Sequence, residues 1–393
     1  MTKIGSGDIM AKPFNQIDPN LLPQGIRSSF MDNVNGLTMH FLESGYRSPD
    51  RPVILLLHGF SERAYSWRKI MLPLAEVGYH VIAPDQRGFG RTTGWDSDYD
   101  GDLASFQLFN LVRDRVALLS ALGYSSVKSV VGHDFGSSVA AYCALIRPDI
   151  FQSVALMGAP FAGAPEFPWP DADNLMGKAD KVLIAESLLN LSPARKYYRH
   201  YHCTRTANWD MLNSAQGLSK FLRAYFHYKS ANWPGNQPFP LTSWDASELA
   251  EMLTYYIMRA NLTMPESVAP FLPDESNKYS CNWLNDSELQ FYVEEYSRTG
   301  FQGGLQWYRC SYEKDQIHSL WIYAGCKLNM PSCFMAGQSD WGTYQSPGAF
   351  EKMQSEVCTH MTVCELIPGA GHWLQQEQPK AVQKIILMLV SEL

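Results

Sequence analysis

The pentapeptide Gly132-His133-Asp134-Phe135-Gly136 follows a run of β-branched residues and precedes an Ala-rich apolar stretch. A tight strand-to-helix turn crowds the chain on both sides of its central residue. Small residues are therefore needed at the flanks, and the central side chain projects upward from the bend. Esterase-type elbows carry Ser at that centre; this chain carries Asp134. A carboxylate is ionised near neutral pH and attacks without a base to activate it. At a carbonyl it would form a mixed anhydride. At an sp³ carbon bearing a leaving group it forms an ordinary ester, which a second step must hydrolyse.

Three further elements fall in the order such chemistry needs. His58-Gly59-Phe60 ends the apolar run Val53 to Leu57, so the Phe60 backbone N–H is expected to converge with that of Phe135 on a developing oxyanion. Asp340 follows the apolar run Pro331 to Gln338 and is suited to orient an imidazole. His372 lies in the glycine-flanked loop Gly369-Ala370-Gly371-His372-Trp373. The chain order nucleophile, acid, histidine is that of α/β hydrolases. The side chains of His58, Phe60, Phe135, Trp307 and Trp373 are expected to line the substrate pocket. Ser137 and Ser138 lie nearby, but Ser does not occupy the elbow centre.

Two substrate classes suit a carboxylate nucleophile, and they differ in the leaving group. A halide is a weakly basic anion that wants N–H donors. An opening epoxide leaves an alkoxide whose conjugate acid has a pKa of about 15.7, so it needs a proton. A Tyr near pKa 10 is roughly 5 to 6 units more acidic, which makes donation downhill by about 7 to 8 kcal/mol.

The elements that must hold these groups can be read from periodicity. Short apolar runs at Val53 to Leu57, Tyr79 to Pro84, Val127 to Val131 and Val154 to Met157 alternate with helical segments near Arg63 to Val77, Phe106 to Leu122 and Gly132 to Ile146. That rhythm predicts an α/β fold with a mostly parallel sheet. It stops near Gly163 and resumes with Pro331 to Gln338, Met361 to Ile367 and a terminal helix over Pro379 to Leu393. The stretch between carries helical-looking segments at Ala179 to Leu189, Leu218 to Phe226, Glu248 to Met258 and Ser287 to Tyr296. The expected organisation is an N-terminal extension over 1–30, a core over 31–162 and 320–393, and an inserted helical cap over 163–319.

Phe291-Tyr292-Val293-Glu294-Glu295-Tyr296-Ser297-Arg298-Thr299-Gly300-Phe301-Gln302-Gly303-Gly304-Leu305-Gln306-Trp307-Tyr308-Arg309 resembles the cap signature of soluble epoxide hydrolases of the α/β-hydrolase fold. The resemblance spans most of the chain from about residue 30. It implies hydrolysis of an epoxide to a vicinal diol through a covalent ester on Asp134. It makes Tyr308 a ring-opening acid and, from Tyr198-Arg199-His200-Tyr201, Tyr198 a second one, with Tyr197 and Tyr201 close in register. A haloalkane or haloacid dehalogenase using the same Asp134, His372 and Asp340 is the alternative. The chain departs from the family pattern at Ser61, commonly Pro, and at Phe135, commonly Trp. It also has extra sequence around Asn232 to Pro240 and Pro265 to Ser280.

Composition excludes other classes. Of 393 residues, 46% are apolar and 18% charged, with 32 basic against 39 acidic residues for a net charge of -7. No basic run marks a nucleic-acid surface. No apolar stretch nears the roughly 20 residues that span a bilayer, and the first thirty residues lack the apolar core of a secretory leader. A cytoplasmic location is expected. The eight cysteines show no CxxC pair and no Cys/His metal spacing, so they are read as reduced thiols. The expected partners are a small-molecule epoxide and water, with no nucleic acid and no membrane span. A homodimer is compatible, and no metal or organic cofactor is required.

Overall fold

The computed structural model describes residues 16–48, 50–167, 184–274 and 281–393. Its strands are β1 (Ile26–Val34), β2 (Leu37–Ser44), β3 (Val53–Leu57), β4 (His80–Pro84), β5 (Ser129–His133), β6 (Val154–Met157), β7 (Arg195–Tyr197), β8 (Ile257–Arg259), β9 (Ser332–Gly337) and β10 (Met361–Ile367). Eight of them form one sheet in the order β1-β2-β4-β3-β5-β6-β9-β10. From β4 to β10 every pairing is parallel, while β1 and β2 add an antiparallel edge. The α/β architecture read from the sequence is the one observed.

The central strands are buried at every position, VILLL in β3 and SVVGH in β5, because helices cover both faces of a parallel sheet. Those helices include α1 (Arg68–Glu76), α2 (Leu108–Ala121), α3 (Phe135–Ile146) and, at the chain's end, a thirteen-residue helix over Pro379–Ser391. The β1–β2 hairpin turns on Asn35 and Gly36, with φ of 51° and 81°. Asn-Gly tolerates this left-handed pair of conformations, and its twist suits antiparallel strands. The sheet therefore begins at Ile26, inside the expected 1–30 extension.

Between β6 and β9 the chain forms α4 (Tyr198–His202), α5 (Leu218–Tyr228), α6 (Asp286–Thr299) and α7 (Gln302–Cys310). The helix expected over Glu248 to Met258 is a correction. Only Ala246–Leu249 is helical, and Ile257–Arg259 is strand β8, paired antiparallel with β7. Tertiary pairing overrides local propensity there. The segment Ala179 to Leu189 lies partly outside the described residues, with 184–189 helical. Residues 275–280 of the expected extra sequence lie outside them too.

Candidate active site

At the end of β5, Asp134 has φ 54° and ψ -120°, a conformation rare for a residue with a side chain. Close approach explains its neighbours. A Cβ on Gly136 would sit 2.2 Å from the Leu57 carbonyl oxygen, and one on Gly59 would sit 2.4 Å from Asp134 Cβ. The bend therefore accepts no larger residue at either position. The Phe60 N–H donates to Asp134 Oδ1 at 2.9 Å, and the Phe135 N–H also points at this carboxylate.

His372 Nε2 lies 3.6 Å from Asp134 Oδ2 and has no hydrogen-bond partner. Its Nδ1 is 3.0 Å from Asp340 Oδ1, so the N–H on that nitrogen donates to the carboxylate and Nε2 keeps its lone pair. Asp340 is in turn fixed by the Gly342 N–H at 2.8 Å. His372 is held through its backbone, with its N–H on the Lys229 carbonyl at 2.9 Å. Sequence reading missed a second buried pair beneath it. His133 Nδ1 is 2.6 Å from Glu62 Oε2, and its Nε2 is 2.7 Å from the His372 carbonyl oxygen. A carbonyl only accepts, so Nε2 carries a proton, and a second proton is shared between Nδ1 and Glu62.

Above Asp134 lies a layer of rings from the segment between β6 and β9. Tyr308 stands edge-on over Phe135 and Phe60, with ring centroids 5.0 Å and 5.4 Å away. A close backbone approach brings it there: a Cβ on Gly303 would lie 1.9 Å from the Gly88 carbonyl oxygen, so α7 can sit down on the loop after β4 only with Gly at that position. The Tyr308 hydroxyl has no hydrogen-bond partner among the described residues. Tyr198 begins α4, its ring 6.0 Å from that of Tyr308. Its hydroxyl donates to Gln345 Oε1 at 2.9 Å, alongside Tyr197 at 3.0 Å. The candidate acids are thus brought together in different states, one phenol free and the other engaged.

The electrostatics of the site turn on Lys229. Its ammonium is buried, makes no ion pair among the described residues, and faces the rings of Tyr255, Trp373, Tyr256 and Tyr225 at 4.5, 5.2, 5.5 and 5.8 Å. Burial pushes its pKa down to about 8 against the pull of Asp134, Asp340 and Glu62. Burial alone would raise the Asp134 carboxyl, but His372, Lys229 and His133 outweigh it and hold Asp134 below the usual carboxylate range. Burial and then Lys229 push the His372 imidazole down, with Asp340 opposing. The Asp134 carboxylate therefore keeps its charge, and the His372 imidazole loses its proton, at lower pH than the free groups would, which are the states a candidate nucleophile and base need. Burial, with Tyr198 and Asp134 close by, raises Tyr308 well above the ordinary phenol range. The sequence-based figure of about 7 to 8 kcal/mol for proton donation assumed an ordinary Tyr, so it overstates the driving force.

Three residues expected to line the pocket have their polar atoms engaged elsewhere. His58 places Nδ1 on the Gly59 carbonyl at 2.9 Å and receives the Gln86 N–H at Nε2, and burial pushes its pKa down to about 4. The Trp307 indole N–H donates to the Arg87 carbonyl, and that of Trp373 to the Phe226 carbonyl. They brace the walls. The Phe60 and Phe135 rings are the ones that meet Tyr308.

A family model described as the alpha/beta hydrolase fold matches residues 52–187. Epoxide hydrolase B of Mycobacterium tuberculosis is 30% identical over 360 residues, covering 90% of this chain and 96% of that protein. Epoxide hydrolase 3 of Siraitia grosvenorii is 28% identical over 89% of this chain and 94% of its own length. Among solved structures, an epoxide hydrolase from an endophytic Streptomyces superposes with a TM-score of 0.73 at 25% identity, over 94% of this chain and 96% of that one. Epoxide hydrolase I of potato, Solanum tuberosum, gives 0.70 at 26% identity, over 94% of this chain and all of that one. Fold and site thus define an α/β hydrolase with an aspartate at its elbow. Within that class the chain belongs to the epoxide hydrolase family.

Proposed function

We propose that this chain converts an epoxide and water to a vicinal diol through an ester on Asp134. An Asp134 oxygen attacks one ring carbon, the C–O bond of the epoxide breaks, and Tyr308 transfers its proton to the departing alkoxide. Tyr198 supplies a second hydrogen bond once its hydroxyl leaves Gln345. His372 Nε2 then takes a proton from water as the hydroxide adds to the ester carbonyl. The Phe60 and Phe135 N–H groups hold the oxyanion, and Asp340 stabilises the imidazolium. Collapse expels the diol oxygen, which takes the proton from His372, and the freed carboxylic acid returns a proton to the tyrosinate.

One observation carries the choice of epoxide over alkyl halide. The indoles of Trp307 and Trp373 donate to protein carbonyls and are not free to hold a halide, while the Tyr308 phenol over Asp134 has no protein acceptor among the described residues. In this reading residues 163–319 act as a cap over a core that starts at Ile26. A cytoplasmic location accords with the free state of all eight cysteines. The test is a panel of aryl, alkyl and terpene epoxides and haloalkanes, with diol and halide measured separately. Diol from at least one epoxide without halide release is expected; halide release with no diol from any epoxide overturns the reading.

A further inference from the structure

His202 ends α4, one turn beyond Tyr198. Its ring centroid lies 4.6 Å from that of Tyr308, 5.1 Å from Phe60 and 5.3 Å from Tyr198. These are the groups proposed above to meet the epoxide oxygen and the oxyanion. His202 is wholly buried, and neither Nδ1 nor Nε2 has a hydrogen-bond partner. The other buried histidines around the sheet differ. His40 meets Ser28 and Asp85, His58 meets backbone on both sides, and His133 meets Glu62 and a carbonyl.

Stripping an imidazole of water and giving it nothing in return disfavours folding. A Phe would fill the same ring-lined volume without that penalty, so the polar atoms at this position have no use within the protein alone. Burial pushes the His202 pKa down to about 3, with Lys229 and Arg199 acting in the same direction and Asp134 opposing. The ring is therefore neutral and offers one N–H donor and one lone pair. That pair of functions suits a hydroxyl better than a carboxylate.

We infer that His202 is a specificity-determining residue that hydrogen-bonds an uncharged oxygen substituent close to the epoxide ring, so that epoxy alcohols are preferred over hydrocarbon epoxides of the same shape. This rests on the epoxide reading above. A site built to hydrogen-bond a substrate group discriminates against the analogue that lacks it, because its own polar atoms are then left unpaired.

The test compares phenylglycidol with β-methylstyrene oxide, in which the hydroxymethyl group is replaced by methyl. Wild type is expected to favour the alcohol in kcat/KM by roughly tenfold, the scale of one hydrogen bond. His202→Phe is expected to remove that preference while leaving the methyl compound within about twofold, and His202→Gln, which keeps a donor and an acceptor, to restore part of it. Equal rates on the two epoxides in wild type, or a parallel fall on both in His202→Phe with no recovery in His202→Gln, overturns the inference. If wild type forms diol from other epoxides of the panel, that failure leaves the epoxide reading standing; no diol from any of them overturns both.

Discussion

On the floor of the site, Asp134 Oδ1 receives a backbone N–H at 2.9 Å, Asp340 receives one at 2.8 Å, and both nitrogens of His133 have partners within 2.7 Å. In the ceiling, Lys229 faces rings, His202 has no partner, and the Tyr308 hydroxyl has none among the described residues. The floor is positioned by directional bonds to strand ends, so its geometry is set before substrate arrives. The ceiling is positioned largely by ring packing, which leaves the His202 nitrogens unpartnered although the Tyr198 and Tyr197 hydroxyls meet Gln345. Reaction type is therefore expected to depend on the floor, and the choice of substrate on the ceiling.

The strongest challenge to this division is Asp134→Ala, which should lower diol formation on the order of 10⁴-fold or more on every epoxide. A substrate that escapes the loss would break the comparison. His372→Gln should slow turnover by roughly 10³-fold yet leave the first step intact. Mass spectrometry under excess epoxide is then expected to find protein heavier by one substrate, with the adduct on the peptide containing Asp134.

Ceiling substitutions should cost less and depend more on substrate. Tyr308→Phe is expected to slow single-turnover ester formation by about 10²-fold, and Tyr198→Phe by about tenfold. The ranking follows from the Tyr198 hydroxyl being engaged by Gln345, and the reverse order would show that this hydrogen bond does not restrain the phenol. The smallest effect is a pH shift. In the proposed mechanism His372 acts as a neutral base, and its pKa lies below the ordinary value of about 6.5, so ester hydrolysis should persist as pH falls until it passes that lowered value. Lys229→Met removes a neighbouring positive charge while the Asp340 carboxylate remains beside His372. The acid limb of the pH profile should then move to higher pH, without a matching change in ester formation at high pH.

The floor was the more legible half. Elbow, acid and histidine each sit at the end of an apolar run flanked by small residues, so local pattern located them. The ceiling resists such reading because its features join distant segments. Lys229 follows an amphipathic helix and resembles an ordinary solvated helix end; its burial depends on Tyr225, Tyr255, Tyr256 and Trp373, drawn from three separate stretches. His202 and Gln345 belong to no motif, and only packing reveals that one lacks partners and the other accepts from two tyrosines. The missed β1–β2 hairpin had a usable signal in Asn35-Gly36. Its mixed burial obscures the alternation that marks a strand.

Strands β6 and β9 are adjacent and parallel, with Val154 opposite Ser332, although residues 158–331 intervene. The long excursion leaves and rejoins the scaffold at one doorway, and the entropy of closing so large a loop rises only slowly with its length. Evolution can therefore lengthen, trim or replace the excursion as a unit while the hydrolytic engine beneath goes on running.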